Sequence, residues 1–178
     1  MDVVERLKRK DEAALQALMD QYGDYLLRMT YLLLKDRYWA EEAVQDTFIT
    51  AYTKIEQLRD ANQLKSWLTR IAINHCRMRQ RSWSWRKLIP FARMDEIIEE
   101  RAEPDTEELF LEKARNHRLG KSLQHLDYKY REAITLFYYS ELSIKEIVEY
   151  TNLNENTIKS RLARGRELLR KLWEKEEL

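Results

Sequence analysis

An all-α fold of two small helical domains joined by a linker is predicted by three features of this 178-residue sequence. Gly occurs 3 times and Pro 2 times, leaving little turn chemistry for a many-stranded sheet. Leu, Glu, Lys, Arg and Ala dominate, which favours helix. Apolar residues recur at helical spacing in several separate runs. The charged share of 35% exceeds the usual quarter, as expected of small helical units with much exposed surface.

In the first helix Leu15, Leu18, Met19 and Tyr22 share a stripe, and Gly23 is expected to interrupt it. Leu26, Met29 and Leu33 form the next stripe, and Lys35-Asp36-Arg37 reads as a short connection. Ala40, Val44, Phe48, Ala51, Ile55 and Leu58 mark a long third helix, followed by the polar stretch Arg59-Asp60-Ala61-Asn62-Gln63. The fourth helix runs from Leu64 to about Arg81. Leu64, Leu68, Ile71, His75 and Met78 are expected on its apolar face, and Ser66, Arg70, Asn74, Arg77 and Arg81 on a cationic, hydrogen-bonding face. A solvated charged surface is the alternative to a binding face. Binding is favoured because no acid is interleaved to form intrahelical ion pairs. The basic run also continues through Trp83, Trp85, Arg86 and Lys87, a mixture suited to stacking on unpaired bases and touching phosphates.

The formal net charge of +1 conceals strong segregation. Residues 65–93 hold eight Lys or Arg and no acid, residues 95–112 hold nine acids and one base, and residues 156–173 hold six Lys or Arg and one acid. The middle stretch, with Pro90 and Pro104 nearby, reads as a linker over 82–108 between domains at 1–81 and 109–178.

Beyond the linker, helix is expected to resume near Glu107 and run to Leu126, with Asp127 capping the next helix and Ala133, Ile134, Phe137 and Tyr138 as its apolar stripe. Ser143-Ile144-Lys145-Glu146 has the spacing of a capping box, in which hydroxyl and carboxylate satisfy each other's backbone donors. Ile144, Ile147 and Val148 face inward. Asn152 stands where a tight turn needs a left-handed residue. Asn154 then caps a final helix with Ile158, Leu162, Leu169 and Leu172 inward. Two capped helices across a short turn form a helix-turn-helix, whose second helix meets base edges with its N-terminal residues. Glu155, Asn156, Thr157, Lys159, Ser160 and Arg164 lie off the apolar stripe, and Arg161, Arg166, Arg170 and Lys171 suit phosphate contacts. The alternative is an ordinary helical hairpin with a charged surface.

These residues also carry a family resemblance. Ala40–Tyr52 (AEEAVQDTFITAY) resembles the polymerase-binding helix of sigma region 2. Leu64–Arg79 (LKSWLTRIAINHCRMR) resembles the helix that reads the −10 element. Leu142–Leu172 resembles sigma region 4. The three occur in the family's order, and no segment remains for the extra domains of larger sigma factors. The chain is therefore similar to the extracytoplasmic-function RNA polymerase sigma factors. The resemblance implies that Glu42, Gln45 and Asp46 dock on the coiled coil of the polymerase β′ subunit, with Phe48 in the core. It implies that the loop Arg59–Gln63 captures a base flipped from the −10 non-template strand, through Asp60 and Asn62. Lys65, Arg70, Asn74 and Arg77 would line the adjacent strand, with Trp67 structural. In region 4 it implies −35 recognition by Glu155, Asn156, Thr157, Lys159, Ser160, Arg161 and Arg164, and docking on the β flap. An anti-sigma partner, often a membrane protein in this family, is also implied. Asn152 departs from the Gly usual at that turn, with no functional loss expected. The acidic stretch after Asp95 lies where the family's linker passes through the polymerase, either as a mimic of nucleic acid or as a solvated connection.

Enzyme chemistry is not expected. His75, His117 and His125 have no metal-ligand spacing with one another or with Cys76, there is no Gly-rich phosphate loop, and no cofactor is anticipated. His75 is read as a packed histidine. The single Cys excludes an intramolecular disulfide and fits a reducing compartment. With no apolar signal core at the N-terminus and no spanning segment, a cytoplasmic bacterial protein is expected, meeting a membrane only through a partner. Two rival readings remain. A stand-alone helix-turn-helix regulator predicts dimerisation on a palindromic site, although residues 1–81 show no heptad seam. A polymerase-binding adaptor predicts that changing Arg164 or Asn62 leaves DNA selection unaltered.

Overall fold

The computed structural model describes residues 2–85 and 117–176, and every regular element among them is helical. The chain divides into two compact units, Met1–Pro90 and Phe91–Leu178. The expected linker and the acidic stretch fall largely on residues 86–116, which lie outside the described residues, as does the expected helix start near Glu107.

The first unit contains α1 (Val3–Lys8), α2 (Glu12–Leu34), α3 (Arg37–Lys54) and α4 (Leu64–Trp85), with short 3₁₀ turns at Ile55–Gln57 and Ala61–Gln63. Aspartates start α2 and α3. Asp11 accepts a hydrogen bond from the Ala13 amide, and Asp36 accepts one from the Trp39 amide at 3.0 Å. Lys35, at φ 62°, closes α2 in the left-handed region, with its amide bonded to the Tyr31 carbonyl. Leu18, Leu26, Met29, Leu33, Ile55, Leu68 and Ile73 are fully buried in the core.

Gly23 does not interrupt α2, contrary to expectation. One Gly costs a helix interior about 1 kcal/mol, and the buried Leu18 and Leu26 on either side hold the helix through it. α3 is shorter than its apolar stripe implied. It yields to a 3₁₀ turn at Ile55, and Ile55 and Leu58 stay buried without continuing the α-helix. α4 runs past Arg81 to Trp85, and its inward face is rotated from the expected one. Leu64, Leu68, Ala72, Ile73 and Cys76 are buried, whereas Ile71 and His75 are half-buried and Met78 is exposed. Small Ala72 and Cys76 let α4 sit close to its neighbours, a steric gain that hydrophobicity alone does not signal.

The second unit contains helical residues 117–124 (α5), α6 (Tyr128–Ile134), α7 (Ile144–Thr151) and α8 (Glu155–Glu176). Its core gathers Leu123, Leu126, Ala133, Ile134, Leu136, Leu142, Ile147, Ile158 and Leu162. After α6 the chain widens into a π-helical turn, Thr135–Tyr139. That extra residue per turn rotates the following side chains, so Leu136 becomes buried and Tyr138 is exposed, where both Phe137 and Tyr138 were expected inward. Asp127 occupies the N-cap position of α6 but its side chain makes no capping bond. Arg131 is buried instead and donates to the Leu126 carbonyl at 2.6 Å. Burial pushes its pKa down to about 10, so it stays charged near neutrality.

α8 meets α6 at Gly165. A Cβ there would lie 2.9 Å from Ile134 Cγ1 and 3.6 Å from Tyr130 Cβ, so the absent side chain allows the close approach.

Candidate nucleic-acid and polymerase interfaces

The helix-turn-helix forms from local chemistry. Ser143 Oγ accepts from the Glu146 amide at 3.2 Å, and Glu146 accepts from the Ser143 amide at 2.7 Å, closing the capping box. Asn152 ends α7 at φ 57°, in the left-handed conformation the turn requires. Asn154 Oδ1 accepts from the Thr157 amide at 2.8 Å and starts α8.

The face of α8 that follows opens into a cleft of 440 Å³. Asn156, Thr157, Ser160, Arg161 and Arg164 line it, so five residues expected at the −35 element converge on one surface. Lys129 and Tyr130 of α6 line the same cleft, although they lie outside the helix-turn-helix and carry no local motif. Glu155 and Lys159 lie off the cleft and pair with each other at 2.7 Å. That pairing holds the Glu155 carboxyl below its usual range. Arg164 donates to Glu167 at 2.8 Å, and this interaction raises its pKa. Arg170 pairs with Glu174 and Lys171 with Glu167, while Arg166 donates to the Tyr138 hydroxyl at 3.0 Å. Exposed pairs of this kind contribute about 0–1 kcal/mol, so a phosphate can displace the carboxylates.

In the first unit the polar loop is itself ordered by its candidate residues. Asp60 accepts from the Asn62 amide at 2.9 Å and caps the Ala61–Gln63 turn, so its carboxylate shapes the loop that presents the exposed Asn62. Arg70 and Asn74 are exposed along α4 and Arg77 is half-buried beside them. Lys65 Nζ lies 4.6 Å from the centre of the Tyr25 ring. Trp83 and Trp85 continue the helix, and Arg86 and Lys87 lie outside the described residues.

The three residues expected to face polymerase divide between two surfaces of α3. Gln45 is exposed at the edge of an apolar groove of 620 Å³, whose lining includes Met19 and Leu27 of α2 with Val44, Phe48 and Ile49 of α3. Glu42 is half-buried. Asp46 turns toward α4 and pairs with Arg79 at 2.6 Å. His75 sits beside that pair and shares a 3.0 Å hydrogen bond with Thr50. Burial lowers the His75 pKa, Asp46 opposes the shift, and Arg79 and Lys54 add to it. No group of three or more His, Cys, Asp or Glu among the described residues is placed to hold a metal.

The Sigma-70 region 2 profile matches residues 18–86, and the Sigma-70, region 4 profile matches residues 116–169. The chain is 30% identical to the ECF RNA polymerase sigma factor SigW of Bacillus subtilis (strain 168), over 94% of this chain and 93% of that one. The chain belongs to the ECF family of RNA polymerase sigma factors. RNA polymerase sigma factor SigV of the same organism is 28% identical over 96% of this chain and 98% of its own length. Among solved structures, sigma factor RpoE of Bartonella quintana, in complex with the anti-sigma factor NepR, is similar at 25% identity and a TM-score of 0.64. That similarity covers 89% of this chain and 98% of RpoE. As a sigma factor, this protein supplies RNA polymerase with promoter selectivity. No helix among its described residues is long and apolar enough to cross a membrane.

Proposed function

We propose that this sigma factor reads the −35 element with the cleft face of α8 and opens the −10 element with α4 and the loop 59–63. The observation that carries this reading is the convergence of Asn156, Thr157, Ser160, Arg161 and Arg164 on one open cleft at the start of a capped helix. Arg can bond guanine through two donors, and Asn can bond adenine through its amide. The exposed helix start adds a partial positive charge that attracts phosphate. In the first unit, Asn62 stands on a turn fixed by Asp60, a suitable rim for an extruded base. Holding such a base recovers part of the unstacking cost of a few kcal/mol. Lys65, Arg70, Asn74 and Arg77 then track the strand.

In this reading residues 1–81 bind core polymerase and the −10 strand, 82–108 link, and 109–178 bind the −35 duplex and the β flap. Gln45, beside the apolar groove of α2 and α3, contacts the β′ coiled coil together with Glu42, and Asp46 supports that surface from its pair with Arg79. The protein acts by binding in the bacterial cytoplasm and is not itself an enzyme. An anti-sigma factor is its proposed regulator, as the complex of RpoE with NepR exemplifies for a relative. The test is run-off transcription from a genomic-fragment library with purified core polymerase. Start sites that appear only with this protein, and that lose selectivity on R164A and N62A substitution, are expected. Start sites indifferent to both substitutions would overturn the residue assignment.

A further inference from the structure

We propose that α6 forms a second wall of the −35 cleft, in which Lys129 holds a backbone phosphate and the Tyr130 hydroxyl orients Arg164 toward its base. This rests on the reading of α8 as the −35 helix and adds residues from outside the helix-turn-helix. Lys129 and Tyr130 line the same 440 Å³ cleft as Asn156, Ser160 and Arg164, so DNA seated on α8 also meets α6. The fold places Tyr130 there by a specific device. Gly165 follows Arg164 in sequence, and its missing side chain brings the α8 backbone against α6, where a Cβ would stand 3.6 Å from Tyr130 Cβ. The next residue, Arg131, is buried and bonded to the Leu126 carbonyl, which fixes the helix turn carrying Tyr130.

Arg164 and Tyr130 line the cleft together, and Glu167 accepts Arg164 Nη1 at 2.8 Å from one turn further along α8. Both neighbours favour the charged guanidinium. A guanidinium reads guanine only when its plane is aligned with the base edge. A flexible Arg side chain gains from a fixed neighbour that removes competing rotamers. Tyr130 is therefore a positioning residue for sequence reading. Lys129 is exposed, with Nζ 4.9 Å from the centre of the Tyr130 ring, and its ammonium suits a phosphate on the far side of the cleft.

The test uses the full chain bound to core polymerase, with promoter duplexes recovered by run-off transcription and substituted one base pair at a time across the −35 element. R164A is expected to remove discrimination at one base pair, by about tenfold. Y130F keeps the ring and loses the hydroxyl. It is expected to weaken discrimination at that same base pair by roughly twofold to fivefold, and to add nothing in the R164A background. K129A is expected to weaken every duplex alike and to reduce the slope of log affinity against log salt by about 1. A merely structural tyrosine would lower affinity for all sequences and lower the melting temperature. Discrimination by Y130F equal to wild type, or a loss that adds fully to that of R164A, overturns the positioning role. An unchanged salt slope in K129A overturns the phosphate role. If R164A itself changes no base preference, the reading of α8 fails, and a Y130F effect has nothing to act through.

Discussion

α4 and α8 are each 22 residues long and each carries a row of cations, yet they keep those cations in place differently. α4 has no acid from Leu64 to Trp85, so its ordering depends on other helices. Tyr25 of α2 meets Lys65 and bonds Thr69, Asp46 of α3 pairs with Arg79, and Thr50 of α3 bonds His75. α8 carries its own carboxylates, and Lys159, Arg164, Arg170 and Lys171 each pair with a Glu three or four residues away. A helix proposed to hold a melted strand is thus anchored by tertiary contacts. The helix proposed to enter a duplex arrives with exchangeable partners that phosphates or, at Arg164, a base edge can replace. The first arrangement yields a fixed track, and the second a surface whose charge is released on binding.

The comparison predicts a ranked set of stability changes. Ile73→Ala removes a fully buried side chain from the inner face of α4 and should cost about 2–5 kcal/mol, read from the urea midpoint of the full chain. A cost below 1 kcal/mol would show that α4 is not anchored by its core face. Arg79→Ala removes the partner of Asp46, whose side chain keeps 42% exposure and so recovers some hydration. The expected loss is about 1–2 kcal/mol. Arg170→Ala breaks a pair exposed on both sides and should shift stability by less than about 0.5 kcal/mol. Equal costs for Arg79→Ala and Arg170→Ala would erase the distinction between the two helices.

The smallest effect concerns pH. Burial lowers the His75 pKa below its ordinary 6.5, so the unfolded chain takes up this proton first as pH falls. Stability from this group is complete above 6.5 and declines as pH drops from there toward the lower folded value. Denaturation curves of wild type and His75→Gln between pH 7.5 and roughly pH 5 should converge as acid is added. Parallel curves would mean that His75 titrates alike in both states.

What could be read in advance follows from how local each determinant is. Ser143 with Glu146, Asn152 and Asn154 act within a few residues, so spacing alone located the helix-turn-helix. That register brings five of the seven candidate −35 residues to one cleft. The inward face of α4 is hidden from hydrophobicity because Ile71 and Met78 look more apolar than Ala72 and Cys76, while close packing selects the small residues. The π turn at Thr135–Tyr139 leaves Tyr138 exposed and has no periodic mark in the sequence. Arg79 finds Asp46 across 33 residues, and Tyr130 reaches α8 through Gly165. Neither partnership has a local signal, although a Gly inside an apolar stripe is a cue for close helix approach.

The sole cysteine gives the first unit a built-in clock. Cys76 is fully buried on the inner face of α4, so a thiol-modifying reagent can reach it only in molecules whose helix has lifted away. When reclosing outpaces modification, the labelling rate measures the open fraction under native conditions, without denaturant. Any ligand that clamps α4, whether a polymerase subunit or a captured strand, should slow that rate by the factor by which it stabilises the closed form.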